Sequence, residues 1–253
     1  MEGFTYHNIF ETKGFEYLAI AVFFVILIPF WMLLNKKVTI AKQIQKSLGI
    51  LTANTLRIPQ GLFYSRFHSW AHLERSGVAK VGLDDLLMHI TGAVKFNPTK
   101  TSGEQITKGD LLAEIDHDGK LLKIYSPISG EIVGANTELV DSPELLNEDP
   151  YIKGWIYKIK PSSWVADTNA YFMAEDATKW SIQELERFKD FLSASIGKYS
   201  PQPSNLIMQD GGELRDQPLS ELPVEVWQEF QQDFLEKKSL KGNKNCFLDQ
   251  GTI

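Results

Sequence analysis

Apolar and polar positions divide the chain into stretches of different period. Residues 17–34 run Tyr17-Leu-Ala-Ile-Ala-Val-Phe-Phe-Val-Ile-Leu-Ile-Pro-Phe-Trp-Met-Leu-Leu34 without a charge. At 1.5 Å per residue such a run is about as long as a hydrocarbon core is thick. It predicts one transmembrane helix over 17–35, with Tyr17 and Trp31 at the interfaces and Pro29 tolerated as a kink. The flanks argue against a cleaved signal peptide: Glu2, Glu11, Lys13 and Glu16 precede the run and Asn35-Lys36-Lys37 follows it. The missing polar face argues against a buried soluble helix. Next, Ile40, Ile44, Leu48 and Leu51 recur at helical spacing among Lys42, Gln43, Gln45 and Lys46. Residues 36–61 therefore read as an amphipathic juxtamembrane segment ending before Pro59 and Gly61. It would lie on a membrane surface, pack on a partner, or simply extend the span.

From Leu62 to Lys160 the pattern changes to short apolar runs between turn signals. Val78–Val81, Leu121–Tyr125, Gly130–Val133 and Trp155–Ile159 predict strands, separated by Asn97-Pro98, Lys108-Gly109-Asp110, Asp118-Gly119 and Ser129-Gly130. That density of strands and turns points to a small β sandwich or barrel. Asp84 to Thr91, with Leu86, Leu87 and Ile90, predicts a short helix. Ser181-Ile-Gln-Glu184 reads as a capping box, with Trp180 and Leu185 as its hydrophobic staple. It would open a helix whose stripe is Leu185, Phe188, Leu192 and Ile196 and which stops at Gly197. Residues 198–222 read as an irregular linker. A last helix in 223–253 starts at Pro223, buries Trp227, Phe230 and Phe234, and closes on Lys237 and Lys238 before a mobile polar tail.

Composition narrows the roles. With 43% hydrophobic and 23% charged residues over 253 positions, the chain can bury a core, so collagen-like, mucin-like and wholly disordered classes are excluded. A net charge of −6 argues against general nucleic-acid binding. Mean hydropathy of −0.18 excludes a multi-span membrane protein. The single Cys246 cannot form an internal disulfide, a cysteine zinc site or an iron–sulfur cluster within the chain. Lys36, Lys37, Lys42 and Lys46 outweigh the lone Lys13 across the span, so the expected topology is single-pass in an inner (cytoplasmic) membrane. The tail 1–16 would lie outside and the C-terminal bulk in the cytoplasm. The same lysines either touch anionic lipid or serve only as topology determinants.

Several motifs carry a resemblance. His68-Ser-Trp70 and Gly77-Val-Ala-Lys-Val-Gly-Leu-Asp84 resemble the opening strands of the glycine cleavage system H protein family. Tyr125-Ser-Pro-Ile-Ser-Gly-Glu-Ile-Val133 is similar to the strand after that family's lipoyl hairpin. Leu139-Val-Asp-Ser-Pro-Glu-Leu-Leu-Asn-Glu-Asp-Pro-Tyr151 with Gly154-Trp155 matches its C-terminal signature. The resemblance covers about Phe67 to Ile196 and leaves out the apolar run, the linker and the last helix. It implies a mainly β fold with C-terminal helices, a barrel-sandwich hybrid over 62–197, preceded here by the one transmembrane helix. It also implies a lipoate-bearing lysine at a hairpin tip, eight residues before the proline of Ser-Pro. Counting back from Pro127 reaches Gly119, within Ile115-Asp-His-Asp-Gly-Lys120. Lys120 stands one place late, and a one-residue shift along a strand turns a side chain to the other face. Asp118-Gly119 is itself a strong two-residue hairpin turn.

The expectation is therefore a membrane-anchored, non-lipoylated accessory subunit of a membrane-associated redox or metabolic complex. It would carry no cofactor, and it would meet lipid through 17–35 and proteins through the domain. The alternatives are a lipoyl carrier of the glycine cleavage system using Lys120, or a lipoate carrier of another pathway. Lys123 is a weaker attachment point. His68 and His72 would stand roughly 13 Å apart in a strand, too far for one metal ion. His117 between Asp116 and Asp118 reads as turn polarity, so no metal site is expected. Asp84, Asp85, Glu144, Glu148 and Asp149 read as caps and turns. No Gly-rich phosphate loop and no nucleophile constellation stand out, so the chain is not expected to be an enzyme.

Overall fold

A computed structural model describes residues 14, 16–32, 49–199, 208–209 and 213–236. Two units are compact, 1–48 and 49–253. In the first, residues 16–32 are helical and their apolar side chains are exposed. Among the described residues no helix is long and apolar enough to cross a membrane. The expected single-pass inner-membrane placement with a cytoplasmic C-terminal domain is corrected by that finding, and the expected lipid contact through 17–35 is not shown. Positions 33–48, which hold the basic cluster and most of the amphipathic stripe, lie outside the described residues. Leu51, the last member of that stripe, belongs to a strand instead.

The second unit is built on three sheets. One joins β2 (Phe63–Tyr64), β3 (Ser69–Leu73), β4 (Ala79–Leu83), β6 (Gln105–Ile106), β9 (Gly130–Ala135) and β10 (Trp155–Pro161) in the order β2-β3-β4-β10-β9-β6. A second joins β5 (Lys95–Pro98), β7 (Leu111–His117) and β8 (Lys120–Tyr125). Val81, Leu83, Leu112, Ile115, Leu122, Ile124, Ile132 and Ile159 fill the shared core. Burial alternates where one face is covered: along β8, Leu122 and Ile124 are buried and Leu121 and Lys123 exposed. The four predicted strands are present, each one or two residues longer than predicted. The architecture is the expected mainly β one.

Asp84 caps helix α1 (Asp85–Thr91): its Oδ1 accepts from Leu87 N at 2.8 Å. Short helices α2 (Glu138–Asp141), α3 (Leu145–Glu148) and α4 (Trp164–Thr168) fill the connections. Helix α5 spans Ala174–Tyr199, so the capping box predicted at Ser181 is wrong. Ala177, Trp180, Ser181, Glu184, Leu185 and Phe188 form one continuous buried stripe, and a Ser-x-x-Glu motif caps only where the residues before it leave the helix. Glu184 instead accepts from Arg187 Nε at 2.6 Å. Gly197 does not stop the helix, which runs on to Tyr199.

The stretch read as an irregular linker contains β11 (Met208–Gln209) and β12 (Glu213–Arg215). β12 pairs with β1 (Ile50–Leu51) in the register Leu51↔Leu214, forming the third sheet, β1-β12-β11. Pairing between main chains so far apart in sequence leaves little trace in a local pattern. Helix α6 (Val224–Glu229) starts after Pro223, as expected, and continues into a wider π-type segment, Phe230–Glu236. Trp227, Phe230 and Phe234 are all buried. Phe230 and Phe234 stack at 4.9 Å and meet Phe188 edge-on at 5.7 Å. Lys237, Lys238 and Cys246 lie outside the described residues.

Candidate functional site

The site suggested by the sequence is the tip of the β7–β8 hairpin. Asp118 (φ +50°) and Gly119 (φ +84°) are the two central residues, both left-handed as a type I′ turn requires. Gly119 N donates to Asp116 Oδ1 at 2.7 Å, and His117 pairs with Lys120 to close the turn. A side chain at Gly119 would meet nothing within 4 Å, so the glycine answers to backbone conformation rather than crowding.

Lys120 lies on the same face of β8 as buried Leu122 and Ile124. Its Nζ donates to Ser220 O at 2.8 Å and to Leu222 O at 2.9 Å, and stands 5.6 Å from the centre of the Trp227 ring. Trp227 Nε1 donates to Leu219 O at 2.8 Å. His117 stacks on the same indole at 5.6 Å and 11°, and its Nδ1 donates to Ala93 O at 2.6 Å, a carbonyl being able only to accept. An ammonium between two carbonyls and an aromatic face is well satisfied. Lys123 points to solvent, while its main-chain N–H donates to Gln231 Oε1 at 2.8 Å. Tyr125 OH donates to Glu236 Oε1 at 2.7 Å; burial first, then the Glu236 carboxylate, pushes its hydroxyl up to about 12. The C-terminal segment thus covers the inner face of the hairpin and satisfies part of the free edge of β8.

That segment is anchored at its other end on α1. Gln217 N and Leu219 N donate to His89 O and Ile90 O at 2.8 and 3.1 Å. His89 Nδ1 meets Asp216 Oδ1 at 2.7 Å, and its Nε2 lies 3.4 Å from Asp85 Oδ2. Burial alone would lower the His89 imidazole, but the Asp216 and Asp85 carboxylates outweigh it and raise it to about 9. Burial would likewise raise Asp85, yet His89 and Arg57 hold it below its ordinary value.

The remaining predicted residues are dispersed. His68 precedes β3 in a left-handed conformation (φ +57°) and is wholly buried, with Nδ1 2.8 Å from Asp84 Oδ2. His72 is exposed in β3. Glu144 and Asp149 flank α3, and Asp149 Oδ1 accepts from Ile152 N at 3.1 Å. Among the described residues no group of three or more His, Cys, Asp or Glu could hold a metal ion. Sequence reasoning missed the clamp on Lys120. Its ingredients, Trp227 and the turn before Pro223, were visible only as an apolar stripe and a helix start.

The family profile for the glycine cleavage H-protein matches residues 62–184. A probable glycine cleavage system H protein of Thermococcus gammatolerans is 36% identical over 124 residues, 49% of this chain and 92% of that protein. The glycine cleavage system H protein of Alkalilimnicola ehrlichii is 38% identical over 105 residues, 42% of this chain and 81% of that protein. The chain belongs to the glycine cleavage H-protein family. Like the H proteins it is similar to, the chain is not itself an enzyme. A crystal structure of the H protein of Mycobacterium marinum aligns at 25% identity and a TM-score of 0.44, over 49% of this chain and 98% of that one.

Proposed function

We propose that this chain is an accessory, partner-binding member of the H-protein family that carries no lipoyl group. One observation carries the reading: the Lys120 ammonium is engaged by the Ser220 and Leu222 carbonyls beneath Trp227. The resemblance, counted back eight residues from Pro127, adds that the expected attachment point falls on Gly119 instead of Lys120. A swinging arm needs an amine projecting from the turn, and the residues present do not fit one. Magnitudes support a lasting clamp. Leu219, Val226, Trp227, Phe230 and Phe234 are each at most 1% exposed, and burying such side chains stabilises by roughly 1.5–3 kcal/mol apiece. Lifting the segment to free one amine would forfeit most of a small domain's stability. On this reading residues 62–197 form the H-protein-like body, residues 213–236 seal its hairpin, and the partners are proteins of a metabolic complex.

The relatives' names favour a second reading, in which Lys120 carries lipoate as an H protein's lysine does. One experiment separates the two. The full chain is co-expressed with a lipoate–protein ligase and lipoate, beside the A. ehrlichii H protein, and both are measured by intact mass. The expected result is a lipoyl adduct on the H protein and none on this chain. An adduct that maps to Lys120 overturns the accessory reading.

A further inference from the structure

Strands β3 and β4 pair Trp70 with Gly82 and His72 with Lys80, so these four positions share one face of the six-stranded sheet. A Cβ at residue 82 would stand 2.6 Å from the Trp70 indole, so the glycine lets that ring lie against β4. Arg57 to Pro59 and the loop Asp149–Ile152 border the same face, leaving a cavity of about 630 Å³. Ile58, Leu62, Trp70 and Tyr151 give it apolar walls, and the size suits a small organic ligand. Trp70 is 1% exposed, and its indole N–H has no hydrogen-bond partner among the described residues.

The charges beside this cavity are arranged against the usual economy of a sheet. Lys80 pairs with His72 of β3 on one side and with Lys158 of β10 on the other, so two lysines stand directly opposite each other. Like charges directly opposite are destabilising. Lys158 is drawn toward the Trp155 ring, with Nζ 4.9 Å from its centre. Glu74 is one of the cavity's carboxylates and pairs with Lys80 at 2.9 Å. The hydrogen bond from Lys80 first, with charge from Lys80, Lys158 and His72 after it, keeps the Glu74 carboxyl below its ordinary value. The cavity's other carboxylate, Asp149, belongs to the loop beside Arg57. Arg57 itself is already matched: it donates to Asp85 and to the Asn147 and Glu148 carbonyls. Glu74 therefore offsets one of two facing lysines, and Lys80, the one that lines the cavity, stands next to its apolar walls.

We propose that this cavity binds a small organic carboxylate with an apolar or aromatic body, the body against Trp70, Leu62 and Tyr151 and the carboxylate on Lys80. The site is independent of what the hairpin carries. The test titrates phenylacetate, and separately its uncharged isostere phenylacetamide, into the full chain. The readout is the Trp70 indole N–H resonance, assigned with Trp70→Phe. Phenylacetate is expected to shift that resonance saturably and to bind about tenfold more tightly than the amide, the equivalent of one charge-assisted hydrogen bond. Lys80→Met should erase the preference, and Glu74→Gln should strengthen acid binding by removing the internal competitor. Equal binding of acid and amide, no saturable shift with either, or acid binding unchanged in Lys80→Met would each overturn the proposal.

Discussion

Lys120 and Lys80 each stand near the start of a strand that leaves a tight turn of the same domain, yet their charges are handled differently. Lys120 is closed over by Trp227 and two carbonyls of its own chain. Lys80 lies on a face bordered by a cavity, with a second lysine opposite and a carboxylate that only partly offsets the two. The hairpin side invests its charge in self-binding, whereas the β3–β4 side leaves charge for something else to meet. The family resemblance directs attention to the first surface; the physics of unsatisfied charge directs it to the second.

The contrast is broken most forcefully at the aromatic lid. Trp227→Ala removes a wholly buried side chain, and such truncations cost about 3–5 kcal/mol. Ile152→Ala, on the open side where the side chain is 75% exposed, should stay within about 0.5 kcal/mol. Urea unfolding of the two variants measures both. A small effect at Trp227 would mean the segment is not part of the core and would remove the main support for a permanent clamp.

A pH series reaches the other end of the clamp. The His89 imidazole is raised to about 9 in the fold, against an ordinary value near 6.5. A group with a raised folded value contributes its stability in full below about 6.5. That contribution shrinks between 6.5 and 9 and is gone above 9. For a shift of this size it is on the order of 3 kcal/mol at most. Stability of the wild type should therefore fall from pH 6.5 to 9 relative to His89→Gln, in which the slope is absent. Parallel curves for the two proteins would show that Asp216 and Asp85 do not hold a charged imidazole.

Much of this was legible in the sequence, and the failures have physical causes. Asp118-Gly119 announced its turn because left-handed backbone restricts the choice of residue, and the strands around it followed from alternation. The stripe Trp227, Phe230 and Phe234 was equally plain. What these aromatics cover was not, because carbonyl partners such as those of Ser220 and Leu222 belong to every residue type and leave no mark. The left-handed His68 was read as a strand residue for want of a glycine. The Leu51↔Leu214 pairing joins positions too distant for any periodicity. The apolar run from Tyr17 misled in another way: hydropathy reports what side chains prefer, not which helix the chain builds. The hairpin turn itself was legible, but its closure depends on a segment about a hundred residues away.

The finest test acts on the lysine itself. Lys120→Met keeps an unbranched side chain of similar reach for the Trp227 face and removes two charge-assisted donations. It should cost about 1–3 kcal/mol, because the Ser220 and Leu222 carbonyls lose a partner in a partly buried place. Lys123→Met on the same strand should be nearly neutral: the side chain is exposed, and the contact to Gln231 is made by its main-chain N–H, which the substitution leaves intact. The difference between the two, read as a shift in urea midpoint at constant slope, isolates the ammonium from the general effect of losing a positive charge. Equal midpoints would mean that Lys120 is held no more firmly than a surface lysine. In that case the distinction drawn between the two faces would rest on Trp227 alone.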